Sequence, residues 1–302
     1  MQYLKTYLQK IIDRGNPLLA DSIKNTAEDV GNQYIKTFSF SSHEIGLLFG
    51  NVQSGKTGQM FGIICKAADL GFPVFVLLTT DNVVLQQQTL ERVKSDLDGF
   101  CICGENDGRL FMDSNLLQPT IIVLKKNVRI LKLWANILGS TGFMKGNPLF
   151  IIDDEADAAS LNTMVNRDRQ SSINKYLDTI KNESSSSLYL QVTGTPQAIL
   201  LQTIASGWHP YFTYYFQPGS AYLGGDFFFP VNGKPNCISY LDTLATPTRN
   251  VIRHLIVSAQ ILSTGGKVCN CLFHPSVRVA SHQRFADEIA KELKWVQEHF
   301  DS

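Results

Sequence analysis

Between residues 45 and 192, short apolar runs alternate with stretches of helical period. The runs are Ile45–Phe49, Val74–Leu78, Thr120–Leu124, Leu149–Ile152 and Leu188–Val192. Between them lie Thr57–Leu70, Val83–Leu97, Val128–Leu138 and Gln170–Lys181. Each run is nearly all apolar, which predicts strands covered on both faces and hence a parallel sheet. The expected fold is α/β: a doubly wound sheet over 45–205 with helices on both sides.

The flanks read differently. Tyr3, Leu4, Leu8, Ile11 and Ile12 follow a helical period that breaks near Gly15-Asn16-Pro17, and a second helix is predicted over 18–36. Residues 1–44 thus form a helical lead-in without visible chemistry. Beyond residue 206 come two aromatic clusters, GWHPYFTYYF and FFFP, around Gly224-Gly225. They predict a loop-rich insertion over 206–265 that ends in a helix, Arg249–Ser263. A strand at Val268–Phe273 and a helix over 277–299 open a further strand–loop–helix unit at 266–302. One such unit cannot close a sheet, so this is the start of a second, incomplete lobe.

Composition narrows the class without naming a chemistry. Of 302 residues, 44% are apolar and 18% charged, ample for a core and unlike a disordered chain. Lys+Arg and Asp+Glu are both 27, so no bulk basic charge marks a nucleic-acid binder. The six cysteines include two C-x-C pairs, 101/103 and 269/271, whose spacing suits one face of a strand better than a metal site. Reduced, buried thiols are expected. The charged N-terminus is unlike a signal peptide, and no apolar run reaches membrane-spanning length. A cytoplasmic protein with no membrane partner is the expectation.

Chemistry enters with Gly50-Asn51-Val52-Gln53-Ser54-Gly55-Lys56-Thr57, a full G-x-x-x-x-G-K-[ST] match between a predicted strand and a predicted helix. Glycines let such a loop curl so that its N–H groups face a phosphate at the positive end of the next helix. Gly50, Gln53, Ser54, Gly55, Lys56 and Thr57 are therefore the expected ATP-binding residues. Lys56 would reach the β- and γ-phosphates, and the Thr57 hydroxyl would complete Mg²⁺ coordination. In LFIIDDEAD at 149–157, a buried strand runs into acids. Asp154 is the expected Mg²⁺ ligand and Glu155 the group that orients the attacking water. Asp157 is expected to couple this loop to Thr193-Gly194-Thr195-Pro196, where Thr193 and Thr195 report the phosphate state.

The order and spacing of these segments resemble the first RecA-like lobe of superfamily 2 helicases and translocases. More closely, the chain resembles the Z-one domain family, endonuclease- or helicase-like ATPases of prokaryotic restriction and phage-defence loci. Its carriers are GNVQSGKTGQMFGIICKAADLGF at 50–72, IIDDEADAASLNT at 151–163, SSIN at 171–174, TGTPQA at 193–198, YLGGDFF at 222–228 and HPSVRVASHQR at 274–284. The resemblance implies a RecA-like fold and ATP-driven action on nucleic acid, DNA foremost, with a nuclease or other defence subunit as partner. By position it also implies backbone contacts from Thr80, Asn82 and Gln88, without sequence preference; the turn Lys125-Lys126-Asn127, Lys125 foremost, is a further candidate, and Asp153 a candidate extra metal-shell group. A solvated polar loop and a basic turn fit the same residues. Gln33 stands where some helicases place an adenine-reading glutamine. The family's second lobe supplies an arginine to the γ-phosphate, for which Arg278 and Arg284 are nearby basic residues only. A nucleotide-binding switch without motor activity, or the ATPase part of a nuclease that cuts elsewhere, are the alternatives.

Overall fold

The computed structural model describes residues 2–140, 142–160, 171–201, 208–234, 246–266, 269–275 and 278–299. Two compact units result, residues 1–227 and 228–302. In the first, the chain runs α1 (Tyr3–Asp13), α2 (Pro17–Val30), β1 (His43–Phe49), α3 (Lys56–Asp69), β2 (Val74–Thr79), α4 (Val83–Asp96) and β3 (Cys101–Cys103). It continues through α5 (Gly108–Asp113), β4 (Thr120–Lys125), α6 (Val128–Ser140), β5 (Leu149–Asp154), α7 (Ala156–Ala159) and α8 (Ser172–Asn182). β6 (Ser187–Thr193), α9 (Gln197–Leu200) and β7 (Phe212–Tyr215) follow, and α10 (Gly225–Phe228) lies at the junction of the units in sequence.

All seven strands are parallel, in the order β3-β4-β2-β5-β6-β1-β7. The doubly wound α/β sheet expected from the apolar runs, in the RecA-like form that the resemblance implies, is the sheet observed. Each of β2, β4, β5 and β6 is buried along nearly its whole length, because helices cover both faces. One face carries α1 to α4, around Ile23, Phe61, Ile64, Phe75 and Phe150. The other carries α5, α6 and α8, around Phe111, Trp134, Leu177, Ile180 and Tyr189. The connection from β1 to β2 steps over β6 and β5, so the C-terminal ends of β5, β6 and β1 lie side by side at a switch point, where α/β folds bind ligands.

Two elements lie beyond the sequence pattern. The N-terminal helices are part of this core, with Leu4, Tyr7, Ile11, Ala20, Ile23 and Ala27 buried against α3. Asp69 near the end of α3 accepts from the backbone N–H groups of Tyr3 and Leu4, at 2.8 and 3.1 Å. The sheet also continues past residue 205, because β7 pairs with β1 from Gly46↔Phe212 to Phe49↔Tyr215. Phe212 stacks on Tyr34, centroids 4.0 Å apart and planes 4° from parallel, and the Tyr214 hydroxyl donates to Asp29 at 2.7 Å. Aromatic residues read as a loop cluster are thus an edge strand, fixed by packing on the N-terminal segment.

The second unit holds α11 (Pro247–Ser263) and α12 (Val279–Glu298). The Thr246 hydroxyl caps α11 by accepting from the Arg249 N–H at 3.3 Å, and Pro247 occupies the first turn, where a missing N–H costs nothing. Thr248 donates to Glu292 at 3.0 Å. The strand expected at Val268–Phe273 is not formed: Val268 lies outside the described residues, and 269–275 have no strand pairing. Two apolar-flanked cysteines give the right alternation, but a strand needs a neighbour to take up its N–H and C=O groups.

Candidate active site

The loop after β1 turns through two left-handed residues, Gln53 at φ 57° and Gly55 at φ 90°. Gly55 immediately precedes α3, whose first residue is Lys56. A side chain at Gly55 would be strained by that φ, which accounts for the glycine. Inside the loop, Ser54 donates to the carbonyl of Asn51 through both its N–H (3.2 Å) and its hydroxyl (2.5 Å), so the turn is held locally. Tyr222 donates to the carbonyl of Val52 at 2.7 Å and braces the outer edge. With α3 14 residues long, the positive end of its dipole meets this loop.

β5 and β6 deliver the opposing groups. The Lys56 ammonium lies 3.7 Å from the Glu155 carboxylate, whose side chain is 42% exposed. Glu155 itself sits in the left-handed region, at φ 51° and ψ 54°. Asp154 is half-buried and accepts from the Glu155 N–H at 3.1 Å. Burial pushes its carboxyl up to about 6, and the negative Glu155 adds to the rise; Lys126 and Lys56 act against it. A carboxylate in that state gains from a cation. Thr57 and Asp154 offer one hydroxyl and one carboxylate, the oxygen donors Mg²⁺ takes together with waters and substrate phosphates. Among the described residues there is no cluster of three His, Cys, Asp or Glu that would hold a metal alone.

The third strand end completes the arrangement. Asp157 accepts from the Thr193 hydroxyl at 2.6 Å and from the Thr195 hydroxyl at 2.5 Å, while Thr193 Oγ1 also accepts from the Thr195 N–H at 2.9 Å. Partial burial raises the Asp157 carboxyl, but the bonds from Thr193 and Thr195 outweigh it and hold the group below the usual range. Gly194 between them faces the loop: a Cβ there would lie 3.0 Å from the Lys56 ammonium. Lys56, Asp154, Glu155, Asp157, Thr193 and Thr195 therefore lie together at the ends of adjacent strands.

Beneath this cluster the structure corrects two readings: Asp153, which the sequence offers as an extra metal-shell group, and Lys126, which it offers in a basic turn, are buried and paired with each other. Lys126, at the end of β4, is fully buried and bonds Asp153 Oδ1 at 3.0 Å, as well as two main-chain carbonyls of the acid loop. The other Asp153 oxygen accepts from the Tyr189 hydroxyl at 2.7 Å. Partners 27 and 36 residues apart leave no local pattern. The sole signal was a lysine directly after an apolar strand, which a solvated turn produces equally well.

The loops after β2 and β4 meet: Asn127 donates to Asp81 at 3.3 Å. Asn82 caps α4, its side chain accepting from the N–H groups of Val84 and Leu85 at 2.9 and 3.1 Å. Gln88 is exposed and Thr80 half-buried, whereas Gln86 is buried against β4. Lys125 is mostly enclosed and lies 3.7 Å from Glu105. It lines a surface cavity of about 660 Å³ together with Asn127, Arg129 and Lys132. Gln33 lies elsewhere: its neighbour Gly31 packs on Lys66 in the last turn of α3, about 15 Å along the helix from Lys56. The Gln33 side chain is exposed.

The cysteines and tryptophans differ in setting. Cys65, Cys101 and Cys103 are buried free thiols, with 101 and 103 on the strand β3; against the expectation of buried thiols, Cys269 is half-buried and Cys271 exposed, both free, and Cys237 lies outside the described residues. Trp134 and Trp208 are core residues, while Trp295 is exposed and stacks on His299. Among the described residues no helix is long and apolar enough to cross a membrane.

No protein-family model matches the sequence, and no curated protein does. Among solved structures, the chain is similar to the Hef helicase domain of Pyrococcus furiosus, at 13% identity and a TM-score of 0.41. It is similar also to Mss116p bound to single-stranded RNA and AMP-PNP, at 13% identity and a TM-score of 0.39. The matches cover 89% and 85% of this chain but only 52% and 53% of those chains, so it spans about half of their length.

Proposed function

We propose that the unit of residues 1–227 binds Mg²⁺ and ATP at the 50–57 loop and hydrolyses the γ-phosphate, as the ATPase lobe of a helicase- or translocase-type protein. The observation that carries this reading is convergence. Three adjacent strand ends bring Lys56, Glu155 and the Asp157-tethered turn to one point, with Glu155 3.7 Å from Lys56.

In this mechanism the loop N–H groups and Lys56 bind and orient the triphosphate, and charge that develops on the leaving phosphate is met by the ammonium. Thr57 and Asp154 would hold Mg²⁺, which supplies Lewis-acid stabilisation of that charge. Glu155 accepts a hydrogen bond from the attacking water and aims it in line. Thr193 and Thr195, tied through Asp157 to the same acid loop, carry the phosphate state toward the ends of β2 and β4. Thr80, Asn82, Gln88 and Lys125 there are the proposed contacts to a nucleic-acid backbone. DNA as the polymer, and a restriction or phage-defence setting, are supported by the resemblance of 50–72 and 151–163 to the Z-one domain family.

The test is the ATP hydrolysis rate of the full chain with and without single-stranded DNA, duplex DNA and RNA. Hydrolysis that DNA stimulates is expected. Nucleotide binding that no polymer accelerates would favour a switch module instead.

A further inference from the structure

Lys126 is a fully buried cation that the mechanism above does not use. Its side chain is 0% exposed, as is that of Asp153, so it touches neither solvent nor a nucleotide on the loop. An ammonium has three N–H groups, and Lys126 spends each one: on Asp153 Oδ1 at 3.0 Å, on the Asp154 carbonyl at 2.8 Å and on the Glu155 carbonyl at 2.9 Å. Stability alone is a weak reason for such a group, since a buried ion pair is often matched by apolar residues of the same volume. Two of its three bonds, moreover, go to the main chain of the two residues that carry the site's acids. The second of these, Glu155, is held at φ 51° and ψ 54°, a region a non-glycine residue occupies only when its surroundings enforce it.

We infer that Lys126 is a positioning residue of the active site: by gripping the carbonyls of Asp154 and Glu155 it holds the left-handed turn that aims the Glu155 carboxylate at Lys56. Asp153 and Tyr189 form the base of this grip, with Tyr189 fixed edge-on against Trp208 at 4.9 Å. Lys126 acts through the backbone, from beneath, and the residues it positions do the chemistry. The inference rests on the proposed ATPase reading.

The test compares Lys126→Met with the double variant Lys126→Met/Asp153→Asn in the full chain. The single variant leaves Asp153 charged and unpaired and folds poorly; the double variant removes both charges and keeps an acceptor for Tyr189. For each folded variant, kcat and KM for ATP and the Kd for Mg²⁺–ATPγS are measured. In the double variant kcat is expected to fall on the order of 100-fold, the effect of a misplaced catalytic group. KM and Kd should stay within roughly threefold of wild type, because the loop is untouched. Wild-type kcat in the double variant would overturn the inference, since Lys126 would then merely neutralise Asp153. A loss of nucleotide binding as large as the loss of kcat would overturn it too, as collapse of the whole site. A wild-type chain that binds Mg²⁺–ATPγS but does not turn over would refute the hydrolytic reading, and with it this inference.

Discussion

Replacing Asp154 with asparagine should stabilise the nucleotide-free protein at neutral pH while it destroys activity. Burial and the adjacent Glu155 raise the Asp154 carboxyl from 3.8 to about 6. For an acid, a raised value means that the folded state favours the proton. The stability of this group is complete below 3.8 and is lost as pH rises through 6, so above 7 the ionised carboxylate is a cost to the fold. A rise of that size corresponds to about 3 kcal/mol. Asparagine keeps the oxygen that accepts from the Glu155 N–H and carries no charge. For a unit of this length, about 3 kcal/mol raises Tm by roughly 6–12 °C. Thermal melts followed by circular dichroism would show that gain at pH 7.5 and almost none at pH 4. Adding Mg²⁺ and ADP should reverse the order, because the cation then supplies wild-type Asp154 with its missing partner. An equal gain at both pH values, or a loss at pH 7.5, would refute the electrostatic account of this carboxylate.

Further outcomes follow from single contacts. Lys56→Ala and Glu155→Gln should each reduce ATP turnover at least about 100-fold, read by phosphate release, because each removes a group aimed at the reacting phosphate. Tyr189→Phe strips one donor from buried Asp153 and should cost about 1.5–3 kcal/mol, seen as a drop in Tm. An unchanged melt would mean that Asp153 is satisfied without it. Asp157→Asn can accept from only one of the two threonine hydroxyls, and the other must reverse to accept from the amide, so polymer stimulation of hydrolysis should fall more than the basal rate. Gly194→Ala should weaken ATP binding more than it lowers Tm, because the added methyl presses on the Lys56 ammonium at 3.0 Å and on little else.

What was legible in the sequence is what local pattern encodes. The strands β1, β2, β4, β5 and β6 were visible because parallel strands buried on both faces are nearly uniform apolar runs. The loop at 50–57 and the acids at 154 and 155 were visible because their spacing along the chain is itself the chemistry. β3, at three residues, was too short to show as an apolar run, and only the Cys101/Cys103 spacing hinted at a strand there. β7 was masked by its own aromatics, which pack on Tyr34 and pair with β1 more than 160 residues away in sequence. Lys126, Asp153 and Tyr189 were hidden for the same reason: a buried ion pair between β4 and β5 is a fact about strand order. In the second unit, alternation at 269–271 suggested a strand, yet alternation cannot supply the neighbour that a strand requires.

The central claim is that the loop at 50–57 binds Mg²⁺ and ATP through Lys56. Calorimetric titration of the full chain with Mg²⁺–ATPγS tests it directly. We predict about one nucleotide bound per chain for wild type, and a loss of affinity on the order of 100-fold for Lys56→Ala, consistent with a lysine on the phosphates. Equal binding by the two proteins, or none by wild type, would contradict it.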